Sequence, residues 1–153
     1  MSGIHKILVP VDFSSCSKHA LERAVELAER YFGASIDVLH VWEPPRSFET
    51  TPMRVEALRG MEALLAEHEA NGIVKFTRLH ESGDALPTIL EVARRGKYDL
   101  IVMGTHGRGA VAHMLMGSVA ERVVRTAPCP VLTVRHPEHE FVLPDALVAV
   151  TKA

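Results

Sequence analysis

Apolar positions along the chain follow two alternating patterns. Short runs rich in branched residues, such as the stretch from Ile4 to Val11, are typical of buried strands, whereas apolar residues three and four apart are typical of helices. The first helical pattern extends from Ser17 to Phe32 and ends before Gly33. The same patterns predict further strands at 35–42, 73–80, 100–103 and 130–135, and further helices at 53–70, from the 82–87 segment to about 95, and at 117–126.

This order of elements predicts the fold class. Strands that alternate with helices pair in parallel, and right-handed crossovers then cover both faces of one sheet. We therefore expect a single doubly wound α/β domain. In such sheets ligands bind beyond the carboxyl ends of the strands, where the winding direction reverses. The corner at 10–12 and the corner at Gly104 meet there if the first and fourth strands are neighbours, which periodicity alone does not establish.

Composition limits the class of protein. The chain has 153 residues, 47% hydrophobic and 24% charged, which suits one compact domain. A net charge of -2 gives no general attraction to nucleic acid, and no apolar run reaches the roughly 18 residues that span a bilayer. The chain opens without a signal-peptide pattern, and Cys16 and Cys129 are too few for a disulfide framework. We therefore expect a cytoplasmic protein with reduced thiols that binds neither nucleic acid nor membrane.

The stretch from Tyr98 to Ser118 carries the clearest functional pattern. An apolar strand stops at Gly104, and a loop with further glycines leads to Gly117, Ser118 and a helix. Glycines let a backbone approach a ligand closely, and Ser118 is expected to cap the helix and leave its first amides facing outward. Free amides and the dipole of a helix N-terminus favour an anion, so this arrangement suits phosphate. A flexible loop without a ligand is the alternative.

Two familiar phosphate loops do not fit this stretch. A P-loop requires a lysine directly before the serine, and Ser118 follows a glycine. Residues 107–112 match G-x-G-x-x-A, but the dinucleotide fingerprint belongs to the first strand–helix turn, and here the match follows the fourth strand. The pattern that remains is Gly104-x2-Gly107-x9-Gly117-Ser118, which follows a buried strand and opens a helix.

With that pattern the chain resembles the universal stress protein family, whose nucleotide-binding members carry G-x2-G-x9-G-[ST] in this place. The resemblance extends from the 6–12 segment through 98–107 and 117–124 to 129–134, and it stops near His136. It implies a five-stranded parallel sheet in the order 3-2-1-4-5, with helices on both faces, in a nucleotide-binding domain at 1–136. Residues 137–153 would form a C-terminal extension.

The resemblance also implies a ligand and roles for individual residues. The ligand would be ATP, or else AMP or ADP, with Mg²⁺ held mainly by the phosphates. Residues expected at the adenine and ribose end and on the floor of the pocket are Pro10, Val11, Asp12, Val41, Met103 and Gly104. Residues expected to hold the phosphates are Gly107, Gly117, Ser118 and Val119, with Arg108 as an added positive charge.

Some of these residues have ordinary structural roles as alternatives. Asp12 would repel phosphates unless it meets ribose hydroxyls, an adenine amine or a metal, and its alternative role is to cap the turn into the first helix. For His106 and Arg108, which could both add positive charge, an exposed loop position is the preferred alternative. The histidine pairs 106/113 and 136/139 lack further ligands for a zinc site, so we expect no structural metal.

The phosphate loop lacks the groups that catalysis needs. Between Gly104 and Ser118 there is no lysine, no aspartate beside the serine to hold a metal, and no obvious residue to position an attacking water. We therefore expect no catalytic residues, and a regulatory or stress-response binding protein with at most slow hydrolysis. The alternatives are a slow ATPase or phosphoryl-transfer enzyme, and a nucleotide-free interaction protein of the same fold.

The C-terminal part of the chain predicts self-association. The resemblance implies a homodimer formed through the last strand, 130–135, which is an edge of the sheet in the family's strand order. The run at 141–150 is too apolar to remain a solvated tail. It packs on its own subunit or on a partner, and the sequence leaves both possibilities open.

Overall fold

The computed structural model contains one parallel sheet flanked by helices, and it describes residues 3–30, 33–44, 51–107 and 116–136. The elements are, in chain order, β1 (Lys6–Val11), α1 (Ser15–Arg30), β2 (Ser35–Trp42), α2 (Thr51–Ala70), β3 (Lys75–Ser82), α3 (Ala85–Gly96), β4 (Leu100–Gly104), α4 (Ser118–Thr126) and β5 (Val131–Val134). Every pairing between these strands is parallel, and the strand order is β3-β2-β1-β4-β5. The predicted fold class and strand order are confirmed.

Alternation along the central strands divides the core into two layers. In β1, Ile7 and Val9 face one layer and Leu8 faces the other, because successive strand residues point to opposite faces. The first layer also holds buried residues of α1 and α2, including Leu21 and Met61. The second layer holds buried residues of α3 and α4, namely Ile89, Val92, Ala93, Ala120 and Val123. Helices therefore cover both faces of the sheet, as predicted.

Some predicted element bounds are wrong by one or two residues. Helix α1 begins at Ser15 and not at Ser17, because Ser14 acts as its N-cap: the Ser14 hydroxyl accepts a hydrogen bond from the Ser17 backbone N–H at 3.2 Å. Strand β3 extends past His80, since its last pair joins Ser82 to the end of β2. In the described ranges, no helix is both long enough and apolar enough to cross a membrane.

Gly96 ends α3, close to the end predicted at about residue 95. Lys97, and not this glycine, adopts the left-handed backbone, with φ 51°. A Cβ added to Gly96 would collide with the Tyr98 ring. Glycine is therefore needed at this position for the packing of Tyr98 and not for a positive φ.

Polar groups join β1 to the start of β4 at the amino ends of the two strands. Asp99 Oδ2 accepts hydrogen bonds from the backbone N–H groups of His5 and Lys6, each at 2.9 Å, and these bonds lower the pKa of Asp99. The Tyr98 hydroxyl donates to Asp37 Oδ2 at 2.6 Å, and Lys6 Nζ lies 3.7 Å from the same oxygen. Burial, reinforced by this carboxylate, raises the pKa of Tyr98. These contacts tie together the three strands β2, β1 and β4.

We expect Tyr98→Phe to lower the free energy of unfolding by about 1.5–3 kcal/mol, the range for a hydrogen bond to a charged group. Tyr98 and Asp37 are each 7% exposed, so water has little access to replace the lost donor. Urea unfolding measures the loss, and a double-mutant cycle with Asp37→Asn isolates the coupling between the two side chains. A loss below about 0.5 kcal/mol would show that this contact contributes little stability.

Candidate functional site

The candidate site lies where the loops after β1 and β4 meet. β1 pairs directly with β4, with Ile7 opposite Leu100 and Leu8 opposite Ile101, so the adjacency that periodicity leaves open is present. The chain adds β2 and β3 on one side of β1 and then β4 and β5 on the other, so the winding reverses between β1 and β4. Doubly wound sheets bind ligands in the crevice at this point.

Local hydrogen bonds stabilise the first corner of the site, which is formed by residues 10–12. Pro10 and Val11, at the end of β1, are buried, and Asp12 is half-buried. Asp12 Oδ1 accepts a hydrogen bond from the Ser14 backbone N–H at 3.0 Å, and the Asp12 N–H donates to the Ser17 hydroxyl at 3.4 Å. The turn-capping role considered for Asp12 is therefore present, and it is compatible with a further role in binding.

Glycines allow the second corner, which is formed by residues 104–107, to approach the first. A Cβ on Gly104 would lie 2.8 Å from Cys16 Sγ and 3.0 Å from the Cys16 carbonyl carbon, because the start of α1 packs against this position. A Cβ on Gly107 would collide with Asp12 Oδ2. The backbone of Cys16 cannot move aside cheaply, so glycine is required at Gly104, whereas a side chain at Gly107 would require the Asp12 carboxylate to shift. The Asp12 carboxylate therefore lies directly against the backbone of the second corner.

Two buried polar residues connect the second corner to α1 and β5. Thr105 is 2% exposed and His106 is 3% exposed, so the exposed position preferred for His106 is wrong. Thr105 Oγ1 lies 2.9 Å from His106 Nδ1 and 3.9 Å from Cys16 Sγ. The Cys16 thiol donates in turn to the Val134 carbonyl at 3.4 Å. These side chains can be buried because hydrogen bonds satisfy their polar atoms. In the sequence, the only sign of Thr105 and His106 as buried residues is that two polar residues stand between a buried strand and a glycine.

The N-terminus of α4 presents backbone amides beside this corner. The Gly117 N–H donates to the Thr105 carbonyl at 2.6 Å, and the first bond within the helix joins the Glu121 N–H to the Gly117 carbonyl. The amides of residues 118–120 therefore have no carbonyl partner inside the helix. The prediction that Ser118 caps α4 is wrong: Gly117 holds the cap position without a side-chain cap bond, and Ser118 is the first helical residue, with an exposed side chain.

Apolar residues form another side of the site. Met103 is buried, and Val41 and Val119 pack against the same core layer. Val11 is paired with the residue before Val41, which places Val41 just beyond the end of β1. Of the predicted site residues, Arg108 lies outside the described ranges. Across those ranges, no three His, Cys, Asp or Glu side chains are grouped closely enough to hold a metal ion.

Comparisons with known proteins agree with this architecture. The model of the universal stress protein family matches residues 3–135. A curated universal stress protein from Thermus aquaticus is 39% identical over 134 residues, which cover 84% of this chain and 97% of the relative. The family match includes the two corners that form the site.

Solved structures share the fold. The structure of hypothetical protein MJ0577 matches with a TM-score of 0.77 and 28% sequence identity, over 87% of this chain and 96% of that one. A universal stress protein family protein from Arabidopsis thaliana, with AMP bound, matches with a TM-score of 0.66 and 22% identity, over 93% of this chain and 99% of that one. At that identity, the second similarity concerns the fold alone.

We expect Gly104→Ala to destabilise the protein by about 1–3 kcal/mol, the usual cost of adding bulk to a packed interior. The added methyl group would press on both the side chain and the backbone of Cys16, so a rotamer change alone cannot relieve it. Gly3→Ala is the matched control, because a Cβ there meets no atom nearer than 3.9 Å. Thermal unfolding compares the two variants, and equal stabilities would contradict the tight contact at Gly104.

Proposed function

The chain belongs to the universal stress protein family, and we propose that it binds ATP or another adenine nucleotide in the crevice between β1 and β4. The observation that carries the proposal is the start of α4, where the amides of residues 118–120 lack intrahelical partners beside the exposed Ser118 side chain. Such a helix start attracts phosphate through its N–H groups and its dipole. The glycine pattern from Gly104 to Gly117 brings the second corner to this helix.

The other side of the crevice suits the base and the ribose. Val41 and Met103 supply apolar surface, as small-molecule sites generally do. An ionised Asp12 accepts hydrogen bonds from hydroxyl and amine groups but repels phosphate, so we assign it to the ribose or to the adenine amine. In this proposal a Mg²⁺ ion arrives with the phosphates, and Arg108 adds positive charge over them.

The fold itself accommodates an adenine nucleotide in another protein, since the Arabidopsis thaliana protein has AMP bound. Turnover is a separate question, because the loop between Gly104 and Ser118 contains no lysine and no aspartate. We therefore propose a regulatory or stress-response binding module with at most slow hydrolysis. The proposal places it in the cytoplasm, which suits the free thiols of Cys16 and Cys129.

Ser118→Glu should weaken ATP binding by about tenfold or more, equivalent to about 1.4 kcal/mol. The new carboxylate would stand at the helix start, where the phosphates need the amides, and would repel them. The fold should survive, because a negative charge in the first turn of a helix is favourable by about 0.3–1 kcal/mol. Isothermal titration calorimetry with ATP, ADP and AMP measures the affinities, and thermal unfolding measures stability.

Ser118→Gln is the matched control for this substitution. It adds a side chain of the same size without the charge, so its effect on affinity should be smaller. Equal ATP affinity in the unaltered protein and in Ser118→Glu would show that the phosphates lie elsewhere. If millimolar adenine nucleotide neither bound to the unaltered protein nor raised its melting temperature, the proposed function would be lost.

We also propose that the protein forms a homodimer through β5. This strand lies at one edge of the sheet and, among the described strands, pairs only with β4. Leu132 on β5 is 40% exposed, and Val124 on α4 is 46% exposed. An uncovered apolar strand edge favours pairing with another strand. The tail at 137–153, which lies outside the described residues, would extend the interface if it crosses to the partner.

Leu132→Glu should weaken the dimer by about tenfold or more, because it places a charge on an apolar interface. Ile73→Glu is the control: Ile73 is 69% exposed and precedes β3, at the opposite edge of the sheet. Sedimentation velocity over a range of concentrations gives the dissociation constants. A dimer that is insensitive to Leu132→Glu, or a protein that is monomeric throughout, would rule out this interface.

A further inference from the structure

A second cavity opens at the carboxyl ends of β2 and β3, outside the proposed nucleotide site. Its volume is about 140 Å³, and its lining includes His40, Trp42, Arg54, Leu58, His80 and Ser82. About 10–15 Å³ of such volume holds one water molecule, so the cavity has room for a small ion. None of these residues belongs to the set assigned to the nucleotide.

The strand register explains why these side chains converge. His40 is paired with His80, and Trp42 is paired with Ser82. Residues two apart on a strand point to the same face, so all four side chains lie on the face that α2 covers. Arg54 comes from the first half of α2 and lines the cavity from the helix side. Three elements therefore contribute polar groups to one small space.

Hydrogen-bond donors are numerous in this lining, and Arg54 is its cation. Arg54 is exposed and, within the described part of the chain, makes no ion pair. Glu81, which also lines the cavity, is already bound by Arg95 at 3.0 Å. The rings of His40 and His80 lie 6.3 Å apart between centroids. Burial, and then the charges of Arg54 and Arg78, lower the pKa of His80, while the Glu62 carboxylate acts in the opposite direction.

Trp42 adds a buried donor to the same wall. Its indole Nε1 is shielded from solvent and has no hydrogen-bond partner among the described residues. Buried N–H groups without an acceptor are rare, because the cost of removing them from water is not recovered. Because the indole Nε1 has almost no accessible surface, an oxygen atom bound in the cavity would accept from this N–H once the ring turns toward it.

We propose that this cavity binds a small oxyanion, either a phosphate or a carboxylate, through Arg54, the two imidazoles and the Trp42 indole. Phosphate and carboxylate share the relevant chemistry: charged oxygens that accept several hydrogen bonds, strongest from a guanidinium. The binding uses none of the residues of the nucleotide site and does not depend on the proposed function.

Trp42 makes the test direct, because the chain contains 1 tryptophan. Its indole N–H resonance in NMR spectra, and its fluorescence, report on the surroundings of this one residue in the cavity wall. Titration with inorganic phosphate, and separately with acetate, should shift the resonance saturably at millimolar concentrations. The anion that binds more tightly identifies the source of the oxyanion. If neither anion produced a saturable shift, the proposal would be overturned.

Two variants on α2 show whether the charge of Arg54 is responsible for the anion binding. Arg54→Gln should weaken the binding by about tenfold or more, because it removes the cation of the cavity. Arg59→Gln should leave the binding unchanged, since Arg59 is exposed on the same helix but does not line the cavity. Equal losses in the two variants would mean that the anion responds only to the general charge of the helix, which contradicts a site.

The same titration in Ser118→Glu separates the cavity from the nucleotide site. A phosphate response that persists in this variant comes from the cavity and supports the proposal. A response that disappears comes from the start of α4, and the proposal for the cavity then fails. Conversely, a protein that binds no nucleotide but keeps the phosphate response would lose only the proposed function.

Discussion

The site depends on the pairing of β1 with β4. The Asp99 carboxylate stabilises that pairing at the amino ends of the two strands, opposite the site. The Asp99 carboxylate accepts hydrogen bonds from the backbone N–H groups of His5 and Lys6, where β1 begins, and the Asp99 N–H donates to the Lys6 carbonyl at 2.9 Å. A slip of one residue would send every side chain of β1 to the opposite layer, so the buried alternation and the Asp99 bonds specify the same register. The two corners of the site meet because the register of β1 against β4 is fixed at the amino ends of the strands, several residues before the corners.

The glycines that reveal the family are not equivalent in this structure. At Gly104 the side chain and backbone of Cys16 occupy the space that a Cβ would need, and at Gly107 the Asp12 carboxylate does so. At Gly117 a Cβ would lie 3.1 Å from the Thr105 carbonyl oxygen, a milder but still tight contact. The glycine spacing is therefore needed to bring the corners together, and the case for phosphate depends on the free amides of α4.

The fold could be predicted because its signals are local. The period of two in β1 and the spacing of three and four in α1 each require only neighbouring residues, and the resemblance supplied the strand order. The position of His106 could not be predicted in this way. A histidine in a glycine-rich loop looks exposed, and its burial depends on Thr105 and on Cys16, which lies 89 positions from Thr105 in the sequence. The cap of α4 was missed for a related reason, since the Gly117 N–H is fixed by the Thr105 carbonyl.

Phe13 lies beside the first corner of the site and contacts His40, which lines the second cavity. It directly follows Asp12, and its φ of 65° places a bulky residue in the left-handed region, which costs about 1–3 kcal/mol unless packing compensates. Its ring lies 4.6 Å from the His40 ring, and a Cβ on Gly60 of α2 would be 3.3 Å from it. Phe13 thus packs against β2 and α2, two of the three elements that line the second cavity. Its packing against His40 and α2 stabilises the strained turn that follows Asp12.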